Sequence, residues 1–212
     1  MSDRHTGRTA YDRLGRLYDL IEAPMEWMGG AQRRRRVVAG SRGSVLEVGA
    51  GTGRNFEHYP RDVALTAVDL SEPMLRQARR RAAATTGIEL LQGDVERLPF
   101  GDASFDTVVA TCVFCSVHDP VQGLREVERV VKPDGQVLLL EHVRPRNAVL
   151  GRIADVVSPL TRRLFGPELN RRTEDNVRAA GLELVEVRRE GIWREIVARR
   201  RGGGGPPDVK QS

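Results

Sequence analysis

Residues 45–53, with the sequence VLEVGAGTG, decide the fold of this chain. A mostly apolar run typical of a buried strand leads directly into three glycines at alternate positions, Gly49, Gly51 and Gly53. Glycine loses more conformational freedom on folding than any other residue, so it is concentrated where the backbone turns sharply or a ligand comes close. The next apolar run ends on an acidic residue, Asp69. Together these features indicate a site for a small nucleotide-like molecule, with the carboxylate placed to hold a ribose.

The composition is that of a globular protein. The chain has 212 residues, of which 40% are hydrophobic and 30% charged, and this fits one domain with extensions. No run of 18 apolar residues occurs, so no transmembrane helix is expected, and the polar N-terminus lacks the apolar core of a signal peptide. The two cysteines, Cys112 and Cys115, lie too close together for a long-range disulfide framework. These features favour a cytoplasmic protein.

The net charge of +5 is carried mainly by arginine, and the densest run is RRRR at residues 33–36. One interpretation is a helix that lies on an anionic membrane surface, where each basic residue contributes about 1 kcal/mol. The other interpretation is an ordinary solvated helix face. Nucleic acid is disfavoured as a partner, because no aromatic residues suited to base stacking accompany the basic ones.

From residue 45 onward, strand patterns alternate with helical patterns. Such alternation is typical of a mostly parallel sheet covered by helices on both faces. The last two strand patterns flank a Glu190-Gly191 turn and predict an antiparallel hairpin at the sheet edge. We therefore predict a Rossmann-like, doubly wound α/β fold with a seven-stranded sheet and N-terminal helices. The predicted strands are 45–48, 64–68, 88–92, 106–110, 137–140, 182–187 and 192–198, and the predicted helices are 11–21, 25–38, 71–82, 120–131 and 173–180.

Three segments are expected from this pattern. Residues 1–40 would form a helical cap over the ligand site, and residues 41–200 would form the α/β domain. Residues 201–212 contain GGGGPP, which has nothing to bury, so a disordered tail is expected there.

Unusual residues follow the predicted parallel strands at the point where each one ends. In an open parallel sheet, ligands bind outside the carboxyl ends of the strands, where the strand order reverses. The topology therefore brings to one edge residues that are far apart in the sequence. These are Gly49, Gly51 and Gly53 after the first strand, Asp69, Asp94, residues 111–117, and Glu141 with His142.

Five motifs in this order resemble those of class I S-adenosylmethionine-dependent methyltransferases. Residues 47–53 (EVGAGTG) look like their first motif, with G-x-G-x-G in place of the G-x-G-x-x-G of dinucleotide-binding folds. Residues 69–71 (DLS) look like the second motif, with the acidic residue for the ribose hydroxyls, and residues 93–95 (GDV) like the adenine-contacting one. Residues 98–106 and 130–135 resemble the approaches to the fourth and fifth strands. The similarity covers residues 11–199 and implies S-adenosylmethionine as cofactor.

The resemblance implies a set of cofactor-binding residues whose chemistry fits. The Asp69 carboxylate can accept hydrogen bonds from two vicinal hydroxyls, and Asp94 can accept one from the adenine amine while the Val95 N–H reaches a ring nitrogen. Alternatives stay open for several of these residues: a plain tight turn for the glycines, a charge partner of a helix N-terminus for Asp69, a turn residue for Asp94, and amphipathic packing for Tyr18. The implied set is Tyr18, Glu47, Gly49, Gly51, Gly53, Asp69, Leu70, Asp94, Val95 and Thr111.

The motifs expected to bind the methyl acceptor are less specific than those expected to bind the cofactor. Residues 111–117 (TCVFCSV), 141–143 (EHV) and 169–173 (LNRRT) are similar to bacterial phospholipid N-methyltransferase-like proteins and to animal membrane-associated thiol methyltransferases. The tyrosines before the domain resemble those of quinone-biosynthesis C-methyltransferases. We expect Cys115, His118 and His142 to line the acceptor pocket. The single C-x-x-C pair would need other ligands for zinc, so reduced, structural cysteines are expected and no metal is predicted.

His142 and Glu141 are the candidate catalytic residues. An unperturbed histidine has a pKa of about 6.5 and can take a proton near neutral pH, and Glu141 would orient a neighbour. A histidine that is simply packed at a strand end is the alternative. No acid or base is compulsory, since aligning donor and acceptor can supply about 7–11 kcal/mol of the barrier.

The sequence thus predicts a methyltransferase that acts on a small or lipid-like acceptor, namely an amine, a thiol or a quinone-type carbon, with possible peripheral contact to an anionic membrane. Two alternatives stay open. One is an NAD-dependent oxidoreductase on a dinucleotide-binding fold, and the other is a non-catalytic, cofactor-binding regulator.

Overall fold

A computed structural model describes residues 29–83, 85, 87–142 and 172–202 of the chain. The helix predicted at 11–21, the cofactor candidate Tyr18, most of the 169–173 motif and nearly all of the predicted tail lie outside the described residues.

The described residues form one seven-stranded sheet with the order β3-β2-β1-β4-β5-β7-β6. Strands β1 to β5 run parallel, and β7 pairs antiparallel with both β5 and β6, so the prediction of a mostly parallel sheet closed by a hairpin is confirmed. The strands are β1 (Ser44–Val48), β2 (Ala64–Asp69), β3 (Ile88–Gln92), β4 (Phe105–Thr111), β5 (Val131–His142), β6 (Leu182–Glu190) and β7 (Trp193–Arg200).

Within the part of the chain that the structure describes, four α-helices cover the sheet, α1 (Ala31–Val38), α2 (Glu72–Ala82), α3 (Pro120–Val130) and α4 (Thr173–Ala179). Apolar residues of α3 and α4 pack in one core cluster with β4 and β5, among them Leu124 and Val177. Val38 of α1 and Ala78 of α2 pack in a second cluster with β1 and β2. The sheet is therefore covered on both faces, as a doubly wound fold requires. None of the helices among the described residues is both long and apolar enough to cross a bilayer.

The segment after α3 differs from the prediction. The helix ends at Val130 because Val131 already has an extended backbone and pairs with Phe105 of β4. Residues 133–135 (PDG), which fall between the predicted helix 120–131 and the predicted strand 137–140, lie within β5 as an irregularity in its pairing with β4. The Lys132 ammonium, 2.7 Å from Asp106 Oδ1, fastens this irregular stretch to β4.

Candidate active site

Strands β1 and β4 are neighbours at the centre of the sheet, and the chain leaves β1 toward β2 on one side and β4 toward β5 on the other. This is the point of strand-order reversal at which open α/β sheets bind ligands. Val48 pairs with both Val68 and Ala110, so the residues after all three strands emerge at one edge. The topology therefore brings together the glycine loop, Asp69 and Thr111, as predicted.

The glycine loop, residues 49–53, is a tight turn in which Gly49, Gly51 and Gly53 all have positive φ, at 67°, 55° and 81°. Residues that carry a side chain rarely adopt positive φ, so glycine is needed at these positions. A Cβ at Gly49 would lie 2.5 Å from Val113 Cγ2, whereas a Cβ at Gly51 would meet none of the described residues within 4 Å apart from its neighbours. Gly49 is thus needed because its backbone packs closely against Val113, whereas the space beside Gly51 is open to a ligand.

Asp69 ties the glycine loop to the start of α2. Its Oδ2 accepts the Gly51 N–H at 2.7 Å, and its Oδ1 accepts the Ser71 N–H at 2.8 Å. The alternative of a helix N-terminal charge partner therefore describes part of what Asp69 does. A carboxylate oxygen can accept more than one hydrogen bond, so these contacts are compatible with the predicted ribose contact. Leu70 beside it is 41% exposed.

Asp94 is exposed and forms the turn that the sequence left as an alternative. Its Oδ1 accepts the N–H of Glu96 at 2.9 Å, and its carbonyl accepts the N–H of Arg97. Val95 is half-buried and packs against the core. The contact of this pair with adenine stays a prediction.

A buried polar network lies behind the glycine loop. Asn55 Nδ2 donates to Glu47 Oε1 at 2.7 Å and to Thr111 Oγ1 at 3.1 Å, and the Tyr59 hydroxyl donates to Glu47 Oε2 at 3.0 Å. Arg34 Nη1 donates to Thr111 Oγ1 at 2.7 Å and to Asn55 Oδ1 at 3.0 Å. Burial raises the pKa of Glu47 to about 7, although the hydrogen bonds from Tyr59 and Asn55 and the charge of Arg34 act in the opposite direction.

Sequence reasoning missed Arg34, Asn55 and Tyr59. The interpretation of the arginine run as a solvated or membrane-facing surface is wrong for Arg34, which is only 8% exposed. A signal existed, because Val37 and Val38 follow it by three and four residues and so share its helix face.

Two other arginines of the run contact the C-terminal hairpin. Arg36 Nε donates to Glu195 Oε2 at 2.9 Å, and Arg33 pairs with Glu190. The Arg33 guanidinium also lies 5.9 Å from the centre of the Trp193 ring. These contacts fix α1 against β6 and β7.

On the acceptor side, Glu141 at the end of β5 is completely buried. Its Oε1 accepts the backbone N–H groups of Val113 and Phe114, each at 2.9 Å, so it orients the loop after β4 as expected. Cys112 in this loop has a positive φ of 57°, and its carbonyl accepts the Cys115 thiol at 3.3 Å. Neither cysteine is in a disulfide, which agrees with the prediction of reduced, structural residues.

His142 has a different character from the one expected. It is 5% exposed and meets Trp193 edge to face, with ring centres 6.5 Å apart. Burial lowers its pKa to about 4. This shift favours the neutral ring near neutral pH, so the alternative of a packed histidine fits the structure, and a catalytic role of His142 stays a prediction. His118 is exposed, next to Asp119, which caps α3 through the Gln122 N–H.

Comparison with known proteins agrees with this geometry. Residues 46–139 match the family described as "Methyltransferase domain". The chain is 36% identical over 138 residues to the demethylmenaquinone methyltransferase of Clavibacter sepedonicus, covering 65% of this chain and 55% of that protein. It is 39% identical over 104 residues to the phosphatidylethanolamine N-methyltransferase of Cereibacter sphaeroides, covering 47% and 51%. A SAM-dependent methyltransferase from Thermotoga maritima has the same fold, with a TM-score of 0.71 at 22% identity over 92% of this chain and 100% of that chain.

The match to a methyltransferase domain over residues 46–139, the strand order and the motif order all agree with the class I, S-adenosylmethionine-dependent methyltransferases that the sequence resembles. The resemblance to methyltransferases stated from the sequence is therefore confirmed, and the cofactor that it implies is S-adenosylmethionine. The NAD-dependent oxidoreductase alternative is not favoured. The chain spans little more than half the length of these two curated relatives.

Proposed function

We propose that this protein is a methyltransferase that moves the methyl group of S-adenosylmethionine to a lipid-like acceptor, either a quinone-type carbon or a lipid amine. The observation that carries the proposal is the joint engagement of Gly51 and Ser71 by the Asp69 carboxylate at the strand-order reversal. These two hydrogen bonds hold the glycine loop, the Asp69 carboxylate and the start of α2 in one fixed arrangement. A nucleoside with an amino-acid tail could bind there, with its ribose at the carboxylate and its tail at the glycine loop.

The residues at this edge fit that cofactor. Gly51 is half-buried, and the open approach at this residue would admit a ligand that a side chain would block. Asp69 would hold the ribose, with the exposed Leu70 beside it as an apolar surface for the base. Asp94 and Val95 would contact adenine, and Tyr18 would close over the cofactor from the 1–40 segment.

When bound, the cofactor supplies an electrophilic methyl group that transfers to a nucleophile in line with the departing sulfur. The chain's own contribution is orientation. Glu141 holds the loop of Val113 and Phe114 through two hydrogen bonds, and this loop would form one wall of the acceptor site with Cys115. Alignment alone can supply about 7–11 kcal/mol, so a neutral His142 is compatible with the reaction. His142 would then shape the pocket together with His118.

The names of two relatives support this class of acceptor. One is named for demethylmenaquinone and the other for phosphatidylethanolamine, and both names denote molecules with an apolar body. A cytoplasmic protein that meets such an acceptor would touch the membrane surface peripherally. Within the arginine run, Arg35 is exposed and is the residue we assign to that contact.

Calorimetric titration separates the proposal from its alternatives. S-adenosylhomocysteine should bind and NAD should not, and binding of NAD alone would overturn the proposal. A panel of a lipid amine, an alkyl thiol and a demethylated quinone, with methyl-labelled cofactor, then identifies the acceptor. Cofactor binding without transfer to this panel or to a cell lysate would favour the non-catalytic regulator.

The membrane contact has its own test. The chain should float with anionic vesicles and not with zwitterionic ones, and Arg35→Ala should reduce the floated fraction because a basic residue near an anionic surface contributes about 1 kcal/mol. Equal flotation of both proteins on both vesicles would remove Arg35 from the proposal.

A further inference from the structure

We infer that Arg34 is a positioning residue for the glycine loop and that it sets cofactor affinity through Asn55, without being part of the loop itself. This inference rests on the proposed function. It concerns a residue that lies 15 positions before Gly49, in the run that the sequence assigned to the surface.

The geometry makes Asn55 a bridge between two buried groups, the Arg34 guanidinium and the Glu47 carboxyl group. Its Oδ1 accepts from Arg34 at 3.0 Å, and its Nδ2 donates to Glu47 at 2.7 Å. A guanidinium has only donors and the carboxylate accepts, so the amide can satisfy both in one orientation only. The amide thus points its oxygen toward the guanidinium and its nitrogen toward a carboxyl oxygen.

This bridge closes the glycine loop at its base. Glu47 lies two residues before Gly49, and Asn55 lies two residues after Gly53, so the hydrogen bond between them joins the two ends of the loop. Thr111 Oγ1 at the end of β4 accepts from both Asn55 and Arg34. Four separate elements of the chain therefore meet at one buried point beside the loop.

The depth of Arg34 is set by its neighbours on α1. Arg36 is held by Glu195 of β7, while Val38 is fully buried in the core cluster next to β1. With one side of the helix anchored to the hairpin and the other to the core, the Arg34 guanidinium has little freedom to withdraw from Asn55.

Loss of the guanidinium should loosen the loop. Without Arg34, the Asn55 amide keeps the acceptors of its Nδ2 but loses the donor to its Oδ1, and the buried Glu47 carboxyl group loses its nearby positive charge. A loop with three glycines gains much conformational entropy when it is released, and a cofactor that binds it must then order it again. The expected result is weaker cofactor binding by a protein that remains folded.

The experiment uses the full chain and S-adenosylhomocysteine as the probe, titrated by calorimetry well below each variant's melting temperature. Arg34→Gln should raise the Kd at least tenfold. Arg34→Lys keeps the charge but not the planar fork, so its Kd should lie between those of Arg34→Gln and the wild type. The matched control is Arg35→Gln, an exposed arginine next in the chain, which should stay within twofold of the wild type.

A merely structural role is distinguished by a double-mutant cycle with Asn55→Ala. If Arg34 acts through Asn55, then Arg34→Gln should change the Kd less than twofold in the Asn55→Ala background. A full tenfold effect in that background, or an Arg34→Gln Kd within twofold of the wild type, would overturn the inference. Absence of binding by the wild type would instead overturn the proposed function.

Thr111→Val provides a second route if Arg34→Gln does not fold. It removes the oxygen that accepts from both Arg34 and Asn55 at nearly constant volume, and it should raise the Kd at least threefold. A Kd unchanged from the wild type in this folded variant would overturn the inference.

Discussion

Asp69 Oδ2 lies 2.7 Å from the backbone nitrogen of Gly51, and this contact makes the acidic residue a support of the glycine loop as well as a candidate ribose ligand. Asp69→Ala should weaken the binding of S-adenosylhomocysteine at least tenfold, or about 1.4 kcal/mol. The substitution removes the charge-assisted hydrogen bond to the Gly51 N–H and also those expected to the ribose hydroxyls. Calorimetric titration measures the change.

Asp62→Ala is the control for this substitution, since Asp62 is an exposed carboxylate in the turn before β2. Its affinity should match that of the wild type. If Asp69→Ala binds as tightly as its control, the ribose site has been placed at the wrong residue.

The three glycines of the loop should respond differently to alanine. A Cβ at Gly49 would meet Val113 Cγ2 at 2.5 Å, so Gly49→Ala should destabilise the fold by about 1–3 kcal/mol through overpacking and backbone strain. At Gly51 the added methyl meets no described side chain within 4 Å, and only the strain of φ 55° remains.

Gly51→Ala should therefore fold with a smaller loss of stability, yet bind S-adenosylhomocysteine poorly because the methyl projects where the cofactor would approach. Urea denaturation and calorimetry on both variants separate the two effects. Unimpaired binding by Gly51→Ala would show that the cofactor does not pass this side of the loop.

Much of the fold could be predicted because the signals are local. The strand from Ile88 to Gln92 is found as predicted. Strands β1 and β2 extend the predicted spans by one residue at one end, and β4 extends its span by one residue at each end. Strand β5 is far longer than the predicted span 137–140, because it begins at Val131, which pairs with Phe105. That pairing is a tertiary contact, which overrides the turn preference of residues 133–135.

The site could be predicted only where a motif is contiguous. The glycines and Asp69 lie in short motifs, and the topology brings them together as expected. Arg34 and Asn55 meet through elements separated by 21 residues, so no local pattern announces the contact. The pKa of His142 depends on burial among residues such as Trp193, and burial of a single polar side chain cannot be read from its own neighbours in sequence.

Glu141 should prove essential to the loop after β4. Glu141→Ala would leave the buried N–H groups of Val113 and Phe114 without their acceptor, each at a cost of about 1–3 kcal/mol. Glu141→Gln keeps an acceptor oxygen and should lose much less. Urea denaturation compares the two with Glu186→Ala, an exposed glutamate of β6 that should change stability by at most about 0.5 kcal/mol. Equal losses for the alanine and glutamine variants would contradict the assigned hydrogen bonds.

Two buried groups should give the stability of this protein opposing dependences on pH. Glu47 has its pKa raised from 4.5 to about 7, so in this window the native state holds a proton that the unfolded chain releases, and the free energy of unfolding falls as the pH rises. His142 has its pKa lowered from 6.5 to about 4, so the unfolded chain binds the extra proton and the free energy of unfolding rises with pH.

Each effect approaches a slope of about 1.4 kcal/mol per pH unit at most, so between about pH 5 and 6 they largely cancel. Glu47→Gln removes the falling contribution, and its stability should rise with pH more steeply than that of the wild type. His142→Phe keeps an aromatic ring against Trp193 and should show the opposite, a stability that falls as the pH rises. Urea denaturation at several pH values through this window measures both slopes. Parallel curves for the two variants would mean that neither group titrates as its burial requires. Slopes of opposite sign would confirm that the pKa of Glu47 is raised and that the pKa of His142 is lowered in the folded protein.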